Sequence, residues 1–216
     1  MLELGLKTLI AYLLGSVMGG LIAGSRRGVD IREQGSGNLG GTNALRTQGF
    51  WFAFATVVVD VAKGWLAAGW LPGADLPGVA ADPTIGREWL AASCAAAAVA
   101  GHVWPLYHEF RGGKGGATLI GALLALAPAT VPVALGAWLL VAMLSGYAGL
   151  ATMLAAASVP IAAQLFHPGA RGLLALSLAM AAFIVWTHRS NIARMRAGKE
   201  ARLGRLWLLG PRTPRT

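Results

Sequence analysis

Four apolar runs, residues 4–24, 50–71, 89–107 and 147–166, each approach the ~20 consecutive apolar residues that a helix needs to cross a bilayer. A chain that is 56% hydrophobic and 12% charged falls outside the usual range of a soluble globular domain, so a bilayer is its natural solvent. A fifth stretch, residues 117–145, is broken by Pro128 and Pro132. Proline removes a backbone donor and bends or ends a helix, which predicts two short helices meeting near residues 127–132. The last stretch, residues 172–187, is short but spans with local thinning of the bilayer. The expected fold is all-α: a polytopic integral membrane protein of seven transmembrane helices, some short. A five-crossing arrangement counts the Pro-broken stretch once and lays one later segment in the interface. The first run leads into "GSRRGVDIREQGSGN" without an A-x-A cleavage site and is read as a retained span. No 20–50-residue repeat and no soluble segment of domain size is present, so residues 1–216 form one membrane domain.

Charge orients these spans. The formal charge is +9, and the basic residues concentrate in short segments between apolar runs and in the tail. That distribution fits the positive-inside rule rather than a nucleic-acid surface. Arg26, Arg27, Arg32 and Arg46 mark residues 25–49 as cytoplasmic; eight Lys or Arg residues against the single acid Glu200 mark the tail from His188 likewise. Residues 72–88, with Asp75, Asp82, Arg87 and Glu88, suit the opposite side. The N-terminus is then outside, the C-terminus cytoplasmic, and residues 109–116 share the cytoplasmic face with the other two basic segments. Cys94 lies alone in an alanine-rich run, so no internal disulfide forms, and no acid or Cys/His spacing calls for a metal or cofactor.

The three cytoplasmic segments carry the chemistry. "GSGNLGGTNALR", residues 35–46, is an inventory for oxyanions: glycines that turn backbone N–H groups toward one point, neutral donors at Ser36, Asn38, Thr42 and Asn43, and a planar cation at Arg46. The same composition also makes a plain interhelical loop. "GHVWPLYHEFRGGKGGAT", residues 101–118, is no nucleotide P-loop, because Gly115 rather than Ser or Thr follows Lys114 and the flanks are membrane helix. A glycine-rich turn opening a helix still presents free N–H groups and a positive dipole end to a small phosphate. Alternatively Gly112, Gly113, Gly115 and Gly116 serve close helix packing at the surface. In "HRSNIARMRAGKE", residues 188–200, a continuing helix places His188 and Asn191 on one face. The basic residues beyond, Arg202, Arg205, Arg212 and Arg215, read as topology anchors on anionic headgroups. Asp60 and Lys63, one helical turn apart inside an apolar run, are expected to pair toward the bundle centre. His102 and His108 flank the second segment and help shape it; His167 begins "HPGAR" on the outer side.

Together, and in this order, the three segments resemble the bacterial acyl-phosphate:glycerol-3-phosphate acyltransferases, over the whole chain. The family's first motif looks like G-S-G-N-P-G-A-T-N-x-x-R, with Leu39 and Gly41 here in place of proline and alanine. The second resembles G-H-x-F-P-x-F-x-x-F-K-G-G-K-G-V-A-T, from which Trp104, Tyr107, Arg111 and Gly116 depart. The third, H-R-x-N-I-x-R-L-x-x-G-x-E, is met by His188, Arg189, Asn191, Ile192, Arg194, Gly198 and Glu200, with Met195 for leucine. The resemblance implies a seven-helix enzyme of the bacterial inner membrane with its active site at the cytoplasmic face. Its reaction moves a fatty acyl group from acyl-phosphate to the sn-1 hydroxyl of glycerol 3-phosphate. The products are lysophosphatidic acid and phosphate, in the first acylation of phospholipid biosynthesis. Membrane lipids, acyl-phosphate and glycerol 3-phosphate are the expected partners, with no nucleic acid and no obligatory protein.

On that reading the acyl tail enters between helices while Ser36, Arg46, Lys114 and the 112–115 amides hold two phosphates by orientation. Asn191 and Lys114 stabilise developing charge. His188 is the natural general base, and a substrate phosphate oxygen is the alternative proton acceptor. Gly35, Gly37, Asn38, Thr42, Asn43, Gly112, Gly113, Gly115, Thr118, Arg189 and Glu200 complete the expected binding set. A transporter of small organic phosphates would use similar loops, but transporters commonly place their sites near the midplane between internal repeats.

Overall fold

The computed structural model describes residues 1–204 and 206–209. Helix follows helix: α1 (Leu2–Gly15), α2 (Gly19–Ser25), α3 (Gly41–Gln48), α4 (Phe50–Trp65), α5 (Arg87–Val103), α6 (Gly116–Leu126), α7 (Thr130–Ser145), α8 (Ala148–Phe166), α9 (Arg171–Thr187) and α10 (Arg189–Arg196). Among the described residues there is no β-sheet. Three stretches are long and apolar enough to cross a membrane unaided: Phe50–Gly73, in which α4 runs on through a π turn at Leu66–Trp70, Arg87–His108 and Ala148–Phe166. Two more reach that length as bent pairs, α1 with α2 at 43° and α9 with α10 at 50°. Helices α6 and α7 are shorter and apolar. The break between them falls where the prolines predicted it. Ala127 leaves the helical region at φ −154°, and Pro132 sits in the first turn of α7, where its missing N–H costs no hydrogen bond.

The first apolar run is not one continuous helix. Ser16 turns its hydroxyl back to the Tyr12 carbonyl at 2.9 Å, and Met18 is extended at φ −105°, ψ 111°. The Val17 carbonyl freed by this break accepts a hydrogen bond from Lys63 Nζ at 2.6 Å, so the interruption is satisfied inside the protein as an apolar surrounding requires.

Small residues set how closely the helices approach. A Cβ built on Gly101 of α5 would lie 2.2 Å from the Tyr12 carbonyl oxygen of α1. One built on Gly64 of α4 would lie 2.1 Å from the Thr118 carbonyl of α6, and one on Gly121 would lie 1.9 Å from the Val61 carbonyl. Where tails are as apolar as side chains, such backbone contact is what holds helices together. The larger core joins α5, α6, α7, α8 and α9 around buried Val99, Leu123, Val159 and Ile184. At the end away from the motifs, Arg87 grips Glu3 through two hydrogen bonds of 2.7 and 2.8 Å, and Lys7 adds a third of 2.9 Å, tying α1 to the start of α5.

Gly121→Ala should therefore destabilise the protein by about 1–3 kcal/mol through overpacking against backbone. Gly136→Ala, in α7 with open space around its Cα, should be neutral or stabilising. Thermal unfolding of the two variants in detergent checks the contrast.

Candidate active site

The three polar segments fold to one end of the bundle. In the first, Asn43 organises the turn: its Oδ1 accepts the Ser36 N–H at 3.0 Å, and its Nδ2 donates to the Gln34 carbonyl at 3.0 Å and the Ile31 carbonyl at 3.4 Å. Gly35 and Gly37 take left-handed φ values of +58° and +70° around it. Asn43 is thus spent on holding the loop. Ser36 is exposed, while Asn38 and Thr42 line a cavity that reaches into the bundle.

In the second segment, α5 ends at Val103 and the chain turns back over it. The Gly113 N–H donates to the His102 carbonyl at 3.0 Å, so this amide, expected among the phosphate donors, is already engaged. Gly115 stands at φ +89° as the N-cap of α6, packed so closely that a Cβ would lie 2.7 Å from Val99 Cγ1. The helix start behind it places Gly116 and Ala117 on the cavity wall, presenting first-turn N–H groups to a ligand. Gly112 is half-buried beside Pro105, and Thr118 is fully buried one turn into α6, away from the cavity lining.

The third segment does not continue α9 straight: the 50° bend falls at His188, just past the end of the apolar span. The Thr187 hydroxyl donates to the Lys114 carbonyl at 3.0 Å and pins the second segment to the third. Lys114 Nζ donates to Asn191 Oδ1; Asn191 Nδ2 donates to Glu200 Oε1 at 2.6 Å; Arg194 Nε donates to Glu200 Oε2 at 2.6 Å. Glu200 thereby orients Asn191 through a buried charge-assisted bond. Burial lowers the Lys114 pKa to about 8, aided by the positive charge of Arg194 and opposed by the negative charge of Glu200. His188 Nδ1 lies 2.7 Å from the Ile184 carbonyl, which only accepts, so Nδ1 carries the proton and Nε2 the lone pair. Burial pushes the His188 pKa down to about 4. Arg189 stands apart, stacked 4.3 Å over the Trp186 ring. The structure does not bring it to this group.

The cavity has a volume of about 530 Å³. Asn38, Thr42, Lys114 and His188 contribute its polar wall; Val57, Leu123, Trp138 and Val159 contribute apolar wall from α4, α6, α7 and α8. Phe50, Phe54 and Leu135 line it while being 62%, 53% and 51% exposed, so it opens sideways between α4 and α7. Its size falls in the usual range for small-molecule sites.

Asp60, expected to face the bundle centre, and His102, expected to shape the second segment, reach the cavity wall, and so do Leu203 and Leu206 of the tail, which the sequence reading does not assign to the site. The tail was read only as a basic anchor, yet Leu203 N–H donates to the Gly146 carbonyl at 2.7 Å and Leu208 N–H to the Met143 carbonyl at 2.9 Å. Arg202 lies between the Tyr147 and Trp207 rings, at 4.6 and 3.8 Å. Arg46 Nη2 donates to the Ala201 carbonyl at 2.9 Å, so the first motif is fastened to the tail. The leucines interleaved with arginines over residues 202–209 were the available signal. Arg205, Arg212 and Arg215, also read as anchors, lie outside the described residues.

A family model described as glycerol-3-phosphate acyltransferase matches residues 6–198. The chain belongs to this family. It is 41% identical to a glycerol-3-phosphate acyltransferase of Sinorhizobium medicae (strain WSM419), over 94% of this chain and 96% of that protein. It is 40% identical to one of Laribacter hongkongensis (strain HLHK9), over 90% and 94%. Among solved structures, PlsY, an integral membrane glycerol 3-phosphate acyltransferase, matches in its glycerol 3-phosphate form with a TM-score of 0.78 and 30% identity, covering 94% of this chain and 96% of that one. Its lysophosphatidic acid form matches with a TM-score of 0.79 and 28% identity, over 95% and 98%. The chain is accordingly an integral membrane acyltransferase.

The electrostatics of the site are open to direct measurement. Lys114 should titrate near 8 by pH-dependent amine labelling read by mass spectrometry. In Glu200→Gln its pKa should fall further, because the one acid that raises it is gone.

Proposed function

We propose that the enzyme transfers a fatty acyl group from acyl-phosphate to the sn-1 hydroxyl of glycerol 3-phosphate, releasing lysophosphatidic acid and phosphate. The observation that carries this reading is a single cavity in which an apolar wall, open to the side, meets Lys114, His188 and the start of α6. One substrate must bring a long tail and a phosphate to the same place, and both substrates carry phosphate. The relatives' names give glycerol 3-phosphate and lysophosphatidic acid, which fit the two ends of this cavity. The segments sit at the cytoplasmic end of the bacterial inner membrane, with the N-terminus outside, as the charge distribution indicates. Seven crossings, short helices included, agree with that orientation.

In the proposed reaction the tail lies along α4, α7 and α8, the acyl phosphate rests against the first-turn amides of α6, and Lys114 holds the phosphate of glycerol 3-phosphate. The glycerol hydroxyl donates to the free Nε2 lone pair of His188, which aims it at the acyl carbon. The C–O bond of the ester forms, the bond from the acyl carbon to the phosphate oxygen breaks, and the hydroxyl proton, taken up at His188 Nε2 as the new bond forms, is passed to the released phosphate. His188, neutral near pH 7, suits a hydrogen-bond acceptor more than a strong base. The mixed anhydride is activated, so orientation and charge stabilisation supply the rate. Asn191 serves by holding Lys114, and Ser36 and Arg46 by shaping the outer rim.

Purified protein in detergent, given acyl-phosphate and glycerol 3-phosphate, should form lysophosphatidic acid without a sealed compartment. Activity with acyl-coenzyme A and none with acyl-phosphate would refute the donor. His188→Ala should lower kcat by about 100-fold or more with little change in KM, as expected for an interaction made in the transition state. On the alkaline side kcat/KM should fall with a midpoint near the Lys114 pKa of about 8, since only the charged ammonium attracts phosphate. In Lys114→Arg, whatever activity survives should lose that limb, because a guanidinium stays protonated.

A further inference from the structure

Directly beneath the glycine-lysine turn lies a buried cluster on α4 and α5. Lys63 Nζ is 3.0 Å from Asp60 Oδ1 and 2.9 Å from His102 Nδ1, and it donates to the Val17 carbonyl at the break between α1 and α2. Asp60 Oδ1 also accepts the Gly19 N–H at 3.3 Å. All three side chains are at least 95% buried. The ammonium can only donate to Nδ1, so His102 carries its proton on Nε2 and its ring is held in one orientation. That ring is the floor of the turn. A Cβ on Gly113 would lie 2.0 Å from His102 Nε2, and the Gly113 N–H donates to the carbonyl of the same histidine.

We propose that Asp60, Lys63 and His102 are positioning residues that set the Gly112–Lys114 turn, and through it Lys114, for the phosphate of glycerol 3-phosphate. The proposal rests on reading that turn as the phosphate site. Stability does not account for the cluster. A buried ion pair gains little over apolar residues of the same volume, and Asp60 Oδ2 is buried with no donor among the described residues. Placement does account for it: one cation ties the helix break of the first run to the ring on which the turn lies. The turn is then fixed at Gly113 by α5 and at Lys114 by Thr187, leaving the ammonium as its adjustable part.

The test uses the full chain in detergent and an Asp60→Leu/Lys63→Met double variant, which removes both charges together and leaves none unpaired. Glycerol 3-phosphate affinity is read by titration calorimetry, backbone mobility of residues 110–116 by hydrogen exchange, and integrity by Tm. The expected result is an unfolding temperature lowered by only a few degrees, since the Val17 carbonyl loses its donor, with affinity weaker by about tenfold or more and faster exchange concentrated in that segment. In turnover, KM for glycerol 3-phosphate should rise while kcat and the KM of the acyl donor hold within about threefold. His102→Gln, which keeps a polar group near Gly113 but gives Lys63 no Nδ1, is the second variant should the first not fold, and it should shift the same quantities. Unchanged affinity overturns the proposal, and so does exchange that rises equally along the whole chain. Because calorimetry needs no donor, parent protein that binds glycerol 3-phosphate but does not use acyl-phosphate would overturn the donor and leave the cluster to be judged on binding. Parent protein that binds no glycerol 3-phosphate overturns both.

Discussion

Backbone that leaves the helix in an apolar surrounding must find partners inside the protein. In this chain those partners build the site. The break after Gly15 frees the Val17 carbonyl, and Lys63 takes it. The turn after Val103 exposes the His102 carbonyl, and Gly113 takes it. At the bend the Ile184 carbonyl accepts the His188 imidazole N–H beside the backbone N–H of the same residue, and the turn at Gly146 gives its carbonyl to Leu203 of the tail. Two of the interruptions draw in distant segments, Lys63 of α4 at the first and Leu203 of the tail at the last, while Gly113 and His188 close theirs locally. The same requirement that makes a membrane chain helical gathers its non-helical parts in one place.

Charge follows a similar economy. The Lys114 side chain joins the second segment to the third, and its burial lowers its hold on the proton. Asn191 presents an oxygen to it because Glu200 takes the amide nitrogen, and Glu200 is in turn held by Arg194. A chain of four polar groups ends in an ammonium that has no carboxylate partner among the described residues. Such a cation remains open to a phosphate, whereas Lys63, paired with Asp60 and closed off by His102, does not.

Much of this was legible from residues alone. Run length and hydropathy gave the spans, Pro128 and Pro132 gave the break before α7, and the i,i+3 spacing of Asp60 and Lys63 gave their pair. The three motifs converge as their shared composition suggested. Other features rest on contacts between residues far apart in sequence, which no local pattern encodes. The amide of Gly113 looks free in the sequence and is engaged only because α5 ends beneath it. Asn43 reads as a ligand and serves as the loop's own scaffold. The break at Ser16 has no proline to announce it and depends on Lys63, 47 positions along the chain. The tail's leucines were masked by the arginines around them, whose charge dominated the reading.

The cavity itself follows from uneven packing. Gly64 and Gly121 bring α4 and α6 into backbone contact, closing the space between them. On the other side, α8 faces the same region with Ala155, Ala156 and Val159, and α7 with Ala134, side chains too small to fill what the glycines have drawn together. Trp138 crosses that gap only as far as Thr152, to whose hydroxyl its indole N–H donates at 3.1 Å. The apolar lining on this side suits the apolar part of a ligand. Tight packing on one face of α4 and open space on the other thus put an apolar cavity beside the turn that carries Lys114.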